Sequence, residues 1–589
     1  MNDKTWRLIP PSPSIPKLAH EMGISPLKAR LLLNRGIADN LSAISFLSPR
    51  LTDLTDPMLL KDMNRAIDHI VGAMKNGEHI AVFGDYDADG ITATALLINL
   101  FSDLGIPVSS YIPNRLEEGY GLNAKAIKKL AEKGVRHMIT VDCGISNRKE
   151  IELASSLGIR TVVTDHHQIP EGFYPVCPVI NPNRPDSLFP FRGLAGVGVA
   201  LFFAIALRAA LRDSGWFKDR PEPDLKQYLD LAALGTVADM VPLTDANRII
   251  VLSGMEVMKN SRWEGLKALK EISGMSDSEI TSYDLAFKLA PRLNASGRMG
   301  DSINGLKALT TDREPIAMEA VRQLNRMNGR RQVIEGEILE EIEKSIMPEF
   351  DLEKRRTMVL AREGWHKGVL GIVASRLLDR YYRPVVVLTI RDGIATGSGR
   401  SVHGFNLHKA MTKLDNLFEK FGGHYHAAGC TLKASNIGDL TAGLEEMAQR
   451  EMDKEDLIPS VDVDMELSLT DLTMDCVNQI KSLAPFGSGN PEPLFYADSV
   501  KVIHSRLVGN KHLKLRVRQG NAVMEAIGFG LGGRHPIEGE TINILFSPGI
   551  DRWKGHVKIQ LRIDDLEPAG TSSKLKKSDP PSSFKARVL

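Results

Sequence analysis

The stretch Val82-Phe83-Gly84-Asp85-Tyr86-Asp87-Ala88-Asp89-Gly90 sets three carboxylates at alternate positions, after an apolar run and before a helical pattern. Like charges this close repel unless some are protonated or a cation sits among them. Acids interleaved with glycine at a strand-to-helix turn favour the cation. Asp142 follows the apolar run His137–Val141, Asp165 follows Thr161–Thr164, and His166 and His167 come directly after it. Asp239 closes Leu234-Gly235-Thr236-Val237-Ala238-Asp239. Carboxylate oxygens with a minority of imidazole suit Mn2+ or Mg2+ better than Zn2+ or copper. So many carboxylates exceed the needs of one ion and point to two, about 3.5–4 Å apart. Such a pair can generate a hydroxide and stabilise the attacking and leaving oxygens of a phosphoryl centre. The expected chemistry is phosphoester or phosphoanhydride hydrolysis.

These acids must be positioned by alternating strands and helices. Ile80–Phe83 reads as a short buried strand, and Ile91–Leu104 as a helix with its apolar face at Leu96, Leu97, Leu100, Phe101 and Leu104. A strand Val108–Ile112, a helix Asn123–Lys133, the strand His137–Val141, a helix Arg148–Leu157 and the strand Thr161–Thr164 follow, with Cys177–Ile180 a further candidate. That alternation implies a parallel sheet with helical crossovers. Ligands of such sheets bind beyond the carboxyl ends of the strands, so Asp85, Asp142 and Asp165 are predicted to meet at one edge. A lone D-x-D turn is more often a helix cap or a solvated loop, and a His pair after a strand is more often polar surface. Agreement of three strand ends reverses those odds.

Residues 1–55 read as a helical lead-in, in which Ser25-Pro26 opens a helix; Lys28, Arg30 and Arg35 fit a solvated helix face better than phosphate contacts. Helices dominate from 194 to 345. They end in an amphipathic connecting stretch, Pro315–Ile346, whose Gly329 and Gly336 argue against an unbroken helix. A second α/β unit starts near Arg356, with strands Met358–Leu360 and Val385–Ile390 around a helix Gly368–Tyr381. Gly-rich turns are expected at Thr396–Arg400 and Gly422–Gly429, equally readable as a phosphate cradle or as tight turns. Beyond Pro459, strands at 501–507, 511–518, 522–529, 542–546 and 556–563 with one helix, Asp471–Leu483, suggest a small barrel of the OB type. Lys514, Arg516 and Arg518 alternate with Leu513, Leu515 and Val517, which puts three cations on one face. A basic groove on a small barrel suits single-stranded nucleic acid. The Ser/Pro/Lys-rich tail from Gly570 is expected to be disordered.

At 589 residues the chain needs several cores. Its net charge of +1 confines any polyanion-binding surface to a local patch. Its 4 cysteines, none in a C-x-x-C pair, argue against a disulfide framework or structural zinc and suit a reducing cytosol. No signal-peptide core or membrane span is read, so a cytoplasmic location is expected. The chain contains neither the G-x-x-x-x-G-K-[ST] loop nor the G-x-S-x-G elbow, which disfavours a P-loop ATPase and the commonest serine hydrolases.

DYDADG at 85–90, VDCG at 141–144, DHH at 165–167 and GTVAD at 235–239 together resemble the four motifs of the DHH phosphoesterase superfamily. GGHYHAAG at 422–429 resembles the signature of the DHH-associated domain. PRLNASGRMG at 291–300 and LAPFGSGNPEPLF at 483–495 resemble segments of the bacterial single-strand-specific exonucleases in that superfamily.

The resemblance implies an α/β fold: a parallel-sheet DHH domain (56–314), a connecting helix (315–350) and a second α/β, DHH-associated domain (351–455). An OB-fold β-barrel (456–567) and the tail (568–589) follow. It implies Asp85, Asp87, Asp89, Asp142, His166 and Asp239 as ligands of two divalent cations, Mn2+ or Mg2+, with Asp142 between them. Asp165 and His167 join the catalytic set, His167 polarising the substrate phosphate or supporting the ligands. Related pyrophosphatases have a ligand His where this chain has Phe83, which leaves Asp85 or water to replace it. Arg298, Ser398, Arg400 and His424 are implied around a 5′-terminal phosphate, and Lys514, Arg516 and Arg518 along the DNA. The implied activity is 5′-to-3′ hydrolysis of single-stranded DNA to mononucleotides in repair and recombination. Single-strand-binding protein and a helicase are implied partners of a monomeric chain without membrane contact. The alternatives are a small-nucleotide phosphodiesterase or oligoribonuclease of the same superfamily, and an inactive DNA-binding scaffold.

Overall fold

The computed structural model describes residues 4–275, 279–300, 302–553, 556–570 and 574–577. Two compact units emerge: residues 50–379 with 383–452, and the chain before Arg50 with that from Asp453 on, together with Arg380–Tyr382.

The larger unit holds an all-parallel sheet in the order Val108–Tyr111, Ile80–Gly84, His137–Val141, Arg160–Thr164, Val179–Ile180. Ile80–Gly84 and His137–Val141 are buried at every position, as strands covered on both faces must be. One covering layer contains Ala88–Asp103 and the helix Gly196–Asp213, most of whose residues are buried. Among the described residues no helix is long and apolar enough to cross a membrane.

The connecting helix runs unbroken over Glu314–Glu341 and passes into a π-helical turn, Ile342–Ile346. It is the connecting helix expected there, and Gly329 and Gly336, which argue against its continuity, do not interrupt it. Burial of Ala317, Ala320, Val321, Leu324 and Ile338 along one side outweighs about 1 kcal/mol of lost helix propensity per glycine.

The second sheet orders Phe418–Gly423, Ala427–Lys433, Ile394–Arg400, Val385–Arg391 and Met358–Glu363. Of the Gly-rich segments expected as turns, Thr396–Arg400 is therefore strand, whereas Gly422–Gly429 does hold a turn, 424–426, between two antiparallel strands. The glycines of Thr396–Arg400 serve close packing: a Cβ on Gly397 would lie 2.0 Å from the Val387 carbonyl, and one on Gly399 would lie 2.6 Å from Leu407.

In the smaller unit, Phe495–Val508, His512–Gln519, Ala522–Gly528, His556–Pro568 and Thr541–Trp553 pair in that order. The last returns to the first, closing a five-stranded barrel with OB-fold connectivity. The N-terminal helices share its core: Leu18, Ala29, Leu31 and Leu32 cluster with Leu469, Val477 and Leu513. The helical lead-in opens with a strand, Thr5–Leu8, which pairs in parallel with Ser460–Val463 and Leu575–Lys577. The tail expected to be disordered thus supplies a strand at 575–577, where Leu575 packs against the cluster around Trp6; positions beyond 577 lie outside the described residues. Arg35 is buried and donates to Asn490 Oδ1 and the Pro491 carbonyl, while Arg30 donates to the Ile9 carbonyl. These two arginines therefore make structural contacts and do not form the solvated helix face expected of them.

Candidate metal centre and anion cleft

The strands Ile80–Gly84, His137–Val141 and Arg160–Thr164 lie side by side and in parallel, so the acids that follow them reach one edge. Three groups of ligand atoms form there, the atoms of each within 4.8 Å of one another: Asp85, Asp87 and Asp142; Asp142, His166 and His167; Asp89, His166 and Asp239. His166 Nε2 stands 3.1 Å from Asp142 Oδ1, 3.5 Å from Asp239 Oδ2 and 3.9 Å from Asp89 Oδ2. His166 Nε2, Asp142 Oδ1 and Asp85 Oδ1 are all buried and make no hydrogen bond among the described residues. Unpartnered buried oxygens and a bare imidazole nitrogen are the donor set a divalent cation completes. Asp142 and His166 each belong to two groups, which fits two adjacent ions.

Burial first, and neighbouring carboxylates second, push the Asp85 and Asp142 carboxyls well above the usual range, and Asp239 rises with them. Asp89 rises to about 7, through burial and the Asp87 charge. His166 falls to about 4, through burial and neighbouring His167, which keeps its ring neutral and able to ligate.

The helix Gly196–Asp213 organises much of this edge. Both oxygens of Asp89 accept backbone N–H bonds at its N-terminus, from Gly196 (2.7 Å) and Val197 (2.8 Å). Asp142 takes φ 60°, an uncommon left-handed conformation for a residue with a Cβ. A Cβ on Gly196 would lie 2.6 Å from Asp142, so glycine there lets the helix approach.

Asp165 shares the edge but belongs to none of the three groups. Its carboxylate accepts from the backbone of Ile145 (2.9 Å), His166 (2.7 Å) and His167 (3.1 Å), and lies 2.8 Å from His167 Nδ1. Burial opposes its charge, but these bonds prevail and hold its pKa below the usual value. It positions the two histidines. Burial likewise opposes the charge on His167, and Asp165 overcomes it, raising His167 to about 9. The Tyr120 hydroxyl donates to the Asp142 carbonyl at 3.2 Å and lies 3.1 Å from His167 Nδ1. Phe83 is buried and stacks on Tyr111 with ring centroids 5.2 Å apart, so its side chain belongs to the core. The open oxygen of Asp85 offers a donor in the same turn.

A cleft of about 720 Å³ joins this edge to the second sheet. Asp165, His167 and Tyr120 line one side, and Ser398, Gly422, Gly423 and His424 line the other. Burial and His167 lower the His424 pKa. A Cβ on Gly371, in the first turn of the helix Leu370–Tyr381, would lie 3.2 Å from Arg400 Nη2 and 3.5 Å from Ser398 Oγ. Arg298 comes from the helix Ala290–Met299, and its carbonyl would lie 2.0 Å from a Cβ on Gly368. Burial, followed by the charges of Arg115, Arg331 and Arg400, lowers Arg298 to about 10. Burial and Arg115 also lower Arg400. Arg331 pairs with Glu335 at 2.5 Å, while Arg400, beside the N-terminus of the helix Leu370–Tyr381, and its neighbours Arg115 and Arg298 favour an anion. Arg115, Tyr120 and Arg331 escaped the sequence reading. Arg115 had one usable signal: it stands just past the strand Val108–Tyr111, at the same carboxyl edge.

On the barrel, Leu513, Leu515 and Val517 point inward, Lys514 is half-buried and Arg516 and Arg518 are exposed. Their partners across the sheet are Arg506, His504 and Lys501. Glu525 faces Arg516 on the other side and lies 4.0 Å from Lys514.

A parallel sheet with this acidic edge, joined through a cleft to a second α/β half, defines a phosphoesterase of the DHH class. Residues 79–236 match the DHH family N-terminal domain, 355–450 the DHHA1 domain and 463–565 the RecJ OB domain. The chain belongs to the RecJ family. It is 36% identical to the single-stranded-DNA-specific exonuclease RecJ of Bacillus subtilis over 94% of this chain and 70% of that one. It is 35% identical to RecJ of Escherichia coli over 92% and 96% of the respective chains. The crystal structure of RecJ in complex with Mn2+ from Thermus thermophilus superposes with TM-score 0.81 at 29% identity, covering 97% of this chain and 80% of that one.

Proposed function

We propose that the chain is a metal-dependent exonuclease that degrades single-stranded DNA from the 5′ end to mononucleotides. One observation carries this reading: a buried carboxylate cluster with open donor atoms adjoins a cleft lined by Arg115 and Ser398, with the charges of Arg298 and Arg400 close to Arg115. Asp85, Asp87, Asp89, Asp142, His166 and Asp239 would hold two Mn2+ or Mg2+ ions. When bound, the ions supply positive charge to the phosphoryl oxygens and acidify a water. Arg298, Arg400 and Ser398 bind the 5′-terminal phosphate, the planar guanidiniums taking two oxygens each. His167, kept protonated by Asp165, donates to the scissile phosphate, and His424 lines the opposite wall. Lys514, Arg516 and Arg518 track the strand. The reading places the protein in the cytoplasm, acting as a monomer on strands opened by a helicase and coated by single-strand-binding protein.

A 5′-phosphorylated strand labelled at one end or the other tests the polarity. With Mn2+, the 5′ label should leave first as mononucleotide while the 3′ label stays in shortening strands. Release from the 3′ end, or cutting of a circular single strand, would overturn the reading.

A further inference from the structure

Tyr283 and Phe287 are 60% and 66% exposed, yet their rings pack on each other with centroids 4.7 Å apart. They sit on a continuous helical run, Ser282–Asp284, Leu285–Leu289 and Ala290–Met299, whose middle segment is π-helical. Insertions of this kind are frequent at functional sites. The opposite side is fully used, with Leu285, Leu289 and Leu293 in the main core. The stacked pair is therefore a deliberate surface feature of a well-anchored helix, unlike the single apolar residues that any surface carries.

The same run orders the site. Arg298, near its C-terminal end, belongs to the arginine cluster. Asn294, one turn earlier, accepts from the Ala88 backbone N–H at 2.8 Å, inside the metal-binding turn. The segment Leu285–Leu289 packs against the helix Leu229–Ala238, which ends at Asp239. Arginine pocket, metal turn and aromatic pair thus follow one another along a single axis. At 1.5 Å per residue, Phe287 and Tyr283 stand about 17 and 22 Å from Arg298. A strand rising ~3.4 Å per nucleotide when stacked, and about twice that when extended, places roughly its third to sixth nucleotides there.

We infer that Tyr283 and Phe287 form a base-stacking platform for single-stranded DNA on the 3′ side of the scissile phosphate. This rests on the activity and polarity proposed above. A platform here recognises aromatic bases without regard to sequence, because every base has a π-face. It also sets a length requirement, since only strands long enough to reach it gain its affinity.

The test uses the full-length protein with Mn2+ and 5′-phosphorylated oligodeoxynucleotides of two and twelve residues. Tyr283→Ala with Phe287→Ala should lower the ratio of kcat/KM for the dodecamer to that for the dinucleotide by between about fivefold and a hundredfold. Phe287→Trp should keep the ratio, and Phe287→Leu, apolar but unable to stack, should lower it. Abasic residues at positions three to six should reduce wild-type activity by a similar factor and leave the double variant unaffected by their presence. An unchanged ratio in the double variant, or wild-type indifference to the abasic positions, would overturn the platform. Failure of the wild type to shorten the dodecamer from its 5′ end would instead overturn the proposed function.

Discussion

Two buried clusters of like charge stand in the same unit, one of carboxylates at the sheet edge and one of guanidiniums around the cleft. They answer their repulsion differently. The carboxylates can protonate, and Asp85, Asp89, Asp142 and Asp239 are all shifted in that direction. Arg298 falls only to about 10 and so stays charged at any physiological pH. The acidic cluster can exist without its counter-ions by taking up protons, whereas in the basic cluster Arg331 pairs with Glu335 at 2.5 Å and the charges of Arg115, Arg298 and Arg400 favour an anion. On the proposed function, the terminal phosphate of a single strand would supply that anion and its next phosphate would approach the acidic edge.

The largest effect should come from the acidic side. Asp142→Ala should lower the rate of mononucleotide release with Mn2+ by at least ~10³-fold, because Asp142 belongs to two of the three ligand groups. Unchanged release would break the comparison at its root. The same cluster predicts an unusual pH dependence of stability. An acid whose folded-state pKa is raised binds more protons in the folded chain than in the unfolded one, so its contribution to stability falls as pH rises toward the folded value. In excess EDTA, Tm should therefore rise as pH is lowered from 8 toward 6, and Asp142→Asn should be more stable than wild type at pH 8. Mn2+ should reverse both trends. A metal-free Tm that falls steadily over that interval would show that the carboxylates do not carry the strain assigned to them.

The basic side predicts a smaller, substrate-selective loss. Arg400→Ala should lower kcat/KM on 5′-phosphorylated strands by on the order of 10²-fold, the worth of a pair of charge-assisted hydrogen bonds. A 5′-hydroxyl strand, which lacks the terminal phosphate, should lose far less. Inorganic phosphate should raise the Tm of the wild type more than that of Arg400→Ala, since a ligand that binds only the folded chain stabilises it by mass action. Equal losses on both strands would place Arg400 outside the terminal-phosphate pocket.

The two clusters also differ in how far the sequence discloses them. Asp85, Asp87 and Asp89 lie within five residues, and Asp142 and Asp165 each close an apolar run, so local pattern and sheet topology place them together. The guanidiniums come from positions 115, 298, 331 and 400, on a loop, two helices and a strand of the second sheet. No local period links them. Arg298 and Arg400 stand out only through family resemblance, Arg115 only by its place just past a strand, and Arg331 by nothing in the sequence. The fold shows the same division. Strand-helix alternation in the first domain is periodic and legible, but the glycines of Ile394–Arg400 look like turn residues in sequence because their reason lies in other strands: Gly397 admits the Val387 carbonyl. Tyr283 and Phe287 carry no signal in sequence, since an exposed aromatic pair gains meaning only from a helix that reaches the turn at Ala88.

Lys514, Arg516 and Arg518 sharpen the comparison from outside the site, as like charges that need no fixed partner. Arg516 and Arg518 are exposed, so water and salt screen their mutual repulsion, and no single contact there should dominate binding. Their contribution should be collective. Each phosphate neutralised on a single strand changes the slope of log K against log salt by about 0.7. Replacing all three with alanine should therefore reduce the magnitude of the slope by about 2, with only a modest loss of affinity at low salt and kcat on short strands little changed. Competition from Glu525, which faces Arg516 and lies 4.0 Å from Lys514, makes the first two substitutions individually weaker than Arg518→Ala. A slope equal to that of the wild type would mean that the strand does not run over this face of the barrel. A loss as deep as that expected of Arg400→Ala would mean that the stripe is desolvated by the strand, making it a second buried basic cluster in the complex.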